Sequence, residues 1–246
     1  MPHKSTLVVI PARLAASRLP DKPLAMIGAD PMIVHVWKKA VAADVGPVIV
    51  ACGDKPIAEA IRAAGGTAVL TAAELPSGSD RVWVAAQTFD SDNKYDHVIN
   101  VQGDLPTLEP ALVSAAVDAL VQGNADMGTL VAKITDDRER DDPNVVKAAV
   151  DFAPGESVAP ALYFSRNRIP SGDGPTYHHI GIYAYTRAAL KRFVALPPAG
   201  LEIRERLEQL RALTNGMTIS AGLVDSIPFG VDTPADLERA RRILAP

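Results

Sequence analysis

Leu7-Val8-Val9-Ile10-Pro11-Ala12-Arg13-Leu14-Ala15-Ala16-Ser17-Arg18-Leu19-Pro20-Asp21-Lys22-Pro23 runs from an uninterrupted apolar stretch into small residues and prolines punctuated by three cations. Four consecutive apolar residues ahead of a proline read as a short strand covered on both faces, the habit of a parallel sheet. Arg13, Arg18 and Lys22 would repel one another unless a polyanion sat among them, and the crevice at the carboxyl ends of strands is where open α/β sheets bind ligands. A nucleoside triphosphate is the expected occupant; a solvated loop with its cations in water is the alternative. Neither G-x-G-x-x-G nor G-x-x-x-x-G-K-[ST] occurs here, so side-chain cations must do what backbone nests do in those motifs.

Outward from that stretch, strand-like and helix-like patterns alternate with short connections, which predicts a largely parallel sheet covered by helices. Strands are expected at Thr6–Ile10, Val48–Cys52, Thr67–Leu70 and Val98–Val101. Helices are expected over Met32–Ala43, Pro56–Ala64, Gly78–Gln87 and Pro110–Val121, two of them followed by capping glycines. Beyond residue 125 the pattern is less regular: strands at Gly128–Lys133, Val145–Val150, Ala161–Phe164 and Gly181–Tyr185 are expected to leave the main sheet. Helices over Arg187–Ala195, Ile203–Leu213 and Pro234–Ile243 follow, the last capped by Asp232 or Thr233. No linker calls for independent domains, so one domain over residues 1–246 is expected, in two halves, 1–125 and 126–246.

With 246 residues, 48% of them hydrophobic, the chain can bury a full core. A net charge of −4 argues against sequence-independent nucleic-acid binding, which needs a basic surface. The single cysteine, Cys52, excludes an internal disulfide and suits a reducing compartment. No apolar run approaches the roughly 20 residues of a membrane span, and a cytoplasmic, membrane-free protein is expected.

A second constellation, Asn100-Val101-Gln102-Gly103-Asp104-Leu105-Pro106, delivers a carboxylate just past a strand end. Asp104 is suited to Mg²⁺, which takes one or two carboxylates together with substrate phosphate oxygens. Asp232, in Phe229-Gly230-Val231-Asp232-Thr233-Pro234, is either the second such carboxylate or the N-cap of the helix that follows.

These residues resemble the sugar nucleotidyltransferases that make cytidine 5′-monophosphate esters of acidic sugars. The resemblance runs through Ile10–Leu24, Pro31–Val36, Ser77–Arg81, Asn100–Asp104, Tyr163–Arg166, His179–Tyr183, Leu207–Arg211 and Gly230–Leu237, eight blocks in matching order. It implies an α/β, three-layer fold: a mostly parallel sheet with a Rossmann-like nucleotide-binding half and an added mixed β region, like the nucleotide-diphospho-sugar transferases. It implies Mg²⁺-dependent transfer of cytidylyl from CTP to 3-deoxy-D-manno-octulosonate (Kdo), releasing pyrophosphate, for lipopolysaccharide synthesis, in a homodimer formed through the second half. Catalysis would fall to Arg13, Arg18, Lys22, Asp104 and Asp232, with the two aspartates as metal ligands. CTP would also meet Ser17, Ser77, Arg81 and Gln102. The sugar would meet Gln102, Arg166, His179, Glu208 and Gln209, with Arg166 suited to its carboxylate because a planar guanidinium accepts one in bidentate fashion. Leu105 departs from the family pattern, which has glutamate there. Another acidic sugar, an amino-substituted Kdo or a nonulosonic acid, and a nucleotide sensor without catalysis are the alternatives.

Overall fold

A computed structural model of the chain describes residues 5–15 and 19–244. It resolves into two compact units, one holding the chain up to Ser114 together with Pro228 onward, the other Ala115–Ile227.

In the first unit, β1 (Thr6–Ala12) is followed by the two-residue strands β2 (Met26–Ile27) and β3 (Asp30–Pro31), then α1 (Met32–Ala42), β4 (Val48–Cys52), α2 (Lys55–Ala63), β5 (Thr67–Leu70), α3 (Gly78–Phe89) and β6 (His97–Asn100). Helix α4 (Pro110–Gln122) carries the chain into the second unit. The long strands lie in the order β5-β4-β1-β6, all parallel, with Val8 opposite Val48 and Val9 opposite Asn100. Strand β1 is central, and Leu7, Val8, Val9 and Ile10 are fully buried, which explains a strand with no polar face. The ligand-binding end of such a layer is the carboxyl end of β1, where the cation-bearing loop begins.

The second unit contains β7 (Met127–Lys133), α5 (Asp137–Asp141), β8 (Lys147–Val150), β9 (Val158–Ser165), β10 (Tyr177–Thr186), α6 (Arg187–Ala195), α7 (Gly200–Glu205), α8 (Leu210–Thr214) and β11 (Ile219–Val224). Its strands follow the order β10-β7-β11-β9-β8, and a further pairing of β10 with β8 joins the two ends of that order. Only β7 and β11 are parallel, so the region is mixed, as the family resemblance implies.

Three local expectations are corrected. The helix expected over Ile203–Leu213 is two short helices, because Arg206 takes a left-handed conformation (φ 57°) and ends α7. Strand β11 was not expected, since Ser220-Ala221-Gly222 lacks the β-branched signature. Those small residues serve close packing: a Cβ on Gly222 would lie 3.2 Å from the Ala119 side chain on α4, and the Ser220 hydroxyl donates to the Ala119 carbonyl. Strand β10 begins at Tyr177, ahead of the expected Gly181.

The final helix, α9 (Pro234–Leu244), belongs to the first unit. Leu237 and Ala240 pack with Val231, Ile27 and Met32, seating the segment from Phe229 against β2 and α1.

Candidate active site

Around the end of β1 lies an open cleft of about 320 Å³ lined by Arg13, Lys22, Ser77, Arg81, Gln102 and Asp104, among others. Six residues from three separate stretches of sequence, all singled out as nucleotide or metal ligands, therefore share one cavity. Ser17 and Arg18 lie outside the described residues.

Lys22 opens a single 3-10 turn, Lys22–Leu24, entered through Asp21 in a left-handed conformation (φ 53°). Its Nζ donates to Asp104 Oδ2 at 2.8 Å, to Asp232 Oδ1 at 3.1 Å and to the Val231 carbonyl at 3.0 Å. Burial alone would lower the pKa of this ammonium; the charges and hydrogen bonds of Asp104 and Asp232 outweigh it and hold the value above that of an ordinary lysine.

Asp104 reaches this point because Gly103 precedes it: a Cβ there would lie 2.8 Å from the Pro11 carbonyl oxygen, so the loop after β6 passes β1 only as glycine. The Asp104 carbonyl accepts from the Val231 N–H at 3.0 Å, tying the two aspartate-bearing segments together. Leu105 packs beside Gly230 in the partner segment, an apolar contact where the family pattern has a charge.

The structure separates the two readings of Asp232. Thr233 is the cap of α9: its hydroxyl accepts from the Asp236 N–H at 3.2 Å, while the Asp236 carboxylate accepts from the N–H groups of Asp232 (3.1 Å) and Thr233 (2.8 Å). The Asp232 carboxylate is turned instead to Lys22. Two carboxylates converging on one cation are a hard-oxygen donor set of the kind Mg²⁺ takes, and an ammonium already stands within hydrogen-bonding distance of both. Among the described residues no group of three or more His, Cys, Asp or Glu could hold a metal, so the remaining ligands of such an ion would come from phosphate and water.

Ser77 caps α3, accepting from the Asp80 N–H at 3.2 Å and donating to the Asp80 carboxylate at 2.8 Å. Arg81 is buried on the same helix. Its Nη1 donates to Thr71 Oγ1 and to the Ala72 carbonyl (3.0 Å), and its Nη2 to the Ala73 carbonyl (3.1 Å). Burial, and then the nearby charge of Arg13, lower its pKa. Arg81 thus shapes the loop after β5 while lining the cleft. Gln102, half-buried, makes one long contact of 3.4 Å to Asn100 and keeps polar capacity facing the cleft.

Arg166, His179, Glu208 and Gln209 all belong to the second unit. Arg166, just past β9, is anchored: Nε donates to the Glu205 carbonyl at 2.9 Å and Nη1 to the Pro143 carbonyl at 3.0 Å. His179 is buried in β10, its Nε2 3.1 Å from Thr129 Oγ1 and its ring edge-on to Phe164 at 4.8 Å. Burial, and secondarily His178, push its pKa down to about 3, so it is a neutral imidazole at physiological pH. Tyr183 lies 5.6 Å from the His179 ring and feels the charge of Glu208, which joins these residues into one cluster. Gln209, at the start of α8, is 4% exposed, and its Nε2 has no hydrogen-bond partner among the described residues.

Three residues were missed. Asp54 reads as a routine helix cap after Gly53, yet accepts from the Leu14 N–H. Glu205 accepts from the Ser165 hydroxyl (2.9 Å) and the Arg166 N–H (3.1 Å), and Lys147, fully buried, donates to the carbonyls of Asp142, Val145 and Arg166, each at 2.7 Å. Only the tertiary fold brings these partners together; a lone Lys in an alternating stretch gives no signal of burial.

The sequence pattern described as "Cytidylyltransferase" matches residues 7–219. A protein of Rhodospirillum centenum named 3-deoxy-manno-octulosonate cytidylyltransferase is 60% identical over 99% of this chain and 95% of its own length. One of the same name from Paramagnetospirillum magneticum is 54% identical over 99% of both. A solved CMP:2-keto-3-deoxy-manno-octonic acid synthetase complexed with CTP superposes with a TM-score of 0.88 at 35% identity, covering 98% of this chain and 99% of the other. A putative glucose-1-phosphate thymidylyltransferase from Bacillus anthracis, 16% identical with a TM-score of 0.66 over 97% of this chain and 95% of the other, shares the fold.

Proposed function

The chain belongs to the cytidylyltransferase family, and from that premise we propose that it transfers cytidylyl from CTP to the anomeric hydroxyl of Kdo, giving CMP-Kdo and pyrophosphate for lipopolysaccharide synthesis. It is a nucleotidyltransferase. The observation that carries the reading is the convergence of Asp104 and Asp232 on Lys22 in a cleft that also takes Arg13, Arg81 and Gln102.

Attack on the α-phosphorus asks a protein mainly for positioning and for neutralisation of phosphate charge. Arg13 and Lys22 supply positive charge to the triphosphate, joined by Arg18, which stands between them in sequence. Gln102 and the Ser77–Arg81 turn present neutral donors and acceptors suited to the amine and carbonyl of cytosine. Asp104 and Asp232 would hold Mg²⁺, whose chemistry when bound is to offset phosphate charge and acidify the sugar hydroxyl. The second unit offers the acidic sugar a guanidinium, Arg166, and uncharged polar groups on His179 and Gln209. Neutral His179 suits a hydroxyl partner, since a neutral imidazole can still accept a proton in a hydrogen bond. The proposal includes the cytoplasm and a homodimer through the second unit. No described helix is long and apolar enough to cross a membrane, and Leu162 and Ile203 there are 67% and 66% exposed, which supports a covering partner.

The test is a panel of the four nucleoside triphosphates against Kdo, an amino-substituted Kdo and a nonulosonic acid, read as pyrophosphate release. Release with CTP and Kdo alone is expected. Faster release with another sugar would move the sugar assignment, and CTP binding without release for any sugar would leave only sensing. Arg166→Leu is expected to raise the KM for sugar about tenfold more than the KM for CTP, the scale of one charge-assisted contact.

A further inference from the structure

Asp54 stands immediately before α2 in extended conformation (φ −137°, ψ 141°), the N-cap position, yet its side chain makes no capping bond. An aspartate there ordinarily accepts an N–H two or three residues onward. This helix has proline in its first turn, which removes one of the N–H groups that need a partner. The Asp54 carboxylate reaches across instead: Oδ2 accepts the Leu14 N–H at 2.8 Å, 40 residues away in sequence and next to Arg13. Beside it, the Gly53 N–H donates to the Ala12 carbonyl at 2.9 Å, carrying the β1–β4 ladder one step past Cys52. The junction is closely packed, since a Cβ on Gly53 would lie 3.2 Å from Arg13 Cβ and 2.9 Å from Arg81 Nη1.

A negative charge next to a loop meant for a polyanion opposes that ligand, by Coulomb's law, at every distance inside the cleft. A cap that caps nothing is accounted for if the carboxylate serves as a hydrogen-bond acceptor, while its charge also acts on the buried Arg81 guanidinium. We propose that Asp54 is a positioning residue for the triphosphate: by holding the Leu14 N–H it fixes where the chain leaves β1 and so where Arg13 is presented. This rests on the reading of Arg13 as a phosphate ligand. The residue touches neither reacting atom; it acts through the loop.

The test uses the full-length protein and calorimetric titration with CTP, alongside the thermal midpoint and the KM for Kdo, on Asp54→Ala, Asp54→Ser, Asp54→Asn and Arg13→Ala. Asp54→Ala should weaken CTP about tenfold, the scale of one well-placed hydrogen bond, and leave the KM for Kdo within about twofold. Asp54→Ser, a good cap too short to reach Leu14, should bind CTP like the alanine variant with α2 supported, and stands in should Asp54→Ala fail to fold. Asp54→Asn, whose amide oxygen still accepts the Leu14 N–H, should bind CTP within about twofold of the parent or tighter. Arg13→Ala weak and Asp54→Ala and Asp54→Ser unchanged would overturn the positioning role and leave the Arg13 reading standing. Asp54→Asn as weak as Asp54→Ala would overturn the acceptor role, and Arg13→Ala binding like the parent would overturn both readings together.

Discussion

Asp104 and Asp232 are separated by more than half the chain and meet at one ammonium, so neither is interpretable without the other. Asp104→Asn and Asp232→Asn are each expected to lower turnover on the order of a hundredfold, as losing one protein ligand of the ion that would offset phosphate charge does. The double variant should be little worse than either, because the pair works as one unit. Pyrophosphate release measures this; multiplicative losses would give the two residues separate roles. The thermal midpoint of Asp232→Asn should match the parent, since Thr233 and Asp236 cap α9. Residue types were the most legible layer of the sequence: cations after a strand and a carboxylate after a strand end announce themselves, whereas Asp232 follows a loop. What they bind to within the protein was not. That Arg81 is a buried organiser of backbone carbonyls, and that Asp54 reaches backward, depend on partners set by the fold.

Elements were legible where one force dominated. The first unit's strands are apolar runs with helices between them, and each expected element is present to within three residues at either end. The second unit's helices are shorter and partly held by side chains, which periodicity does not report. The break between α7 and α8 is an example, clasped by Glu202, which accepts from Arg211 Nε at 2.9 Å and from the Ala199 N–H at 2.9 Å. Burial alone would raise the Glu202 pKa, but the Arg211 hydrogen bond, the Ala199 N–H and the Arg211 charge hold it below the ordinary carboxylate range. A depressed folded-state pKa contributes stability that is complete above the unfolded value and is lost as pH falls through the folded one. Glu202→Gln should therefore cost about 1–3 kcal/mol at neutral pH and flatten part of the acid limb of stability below pH 4.5. Chemical denaturation at pH 7 and pH 3.5 tests this: an equal loss at both would remove Glu202 from the pH dependence.

At the scale of the molecule, the first unit is discontinuous, and the stretch from Pro228 onward brings Asp232 to Lys22 at the cleft beside β1. Leu237, 7% exposed, anchors α9 on Val231 and Met32. Leu237→Ala is expected to cost about 2–5 kcal/mol locally, to speed hydrogen exchange at the Val231 amide, and to lower turnover while leaving exchange at Val131 in β7 unchanged. Equal acceleration at both amides would mean that the segment melts with everything else.

That discontinuity bears on how the protein comes into being. A ribosome releases Arg13, Lys22 and Asp104 early, but Asp232 follows only after the whole of the second unit has been threaded out. The Val231 N–H that the Asp104 carbonyl accepts from, and the Val231 carbonyl that Lys22 donates to, come equally late. An interrupted translation product ending anywhere before residue 232 would lack Asp232 and could not complete the proposed two-carboxylate site. On the proposed assignment, the two carboxylates can meet only once nearly all of the chain has been made.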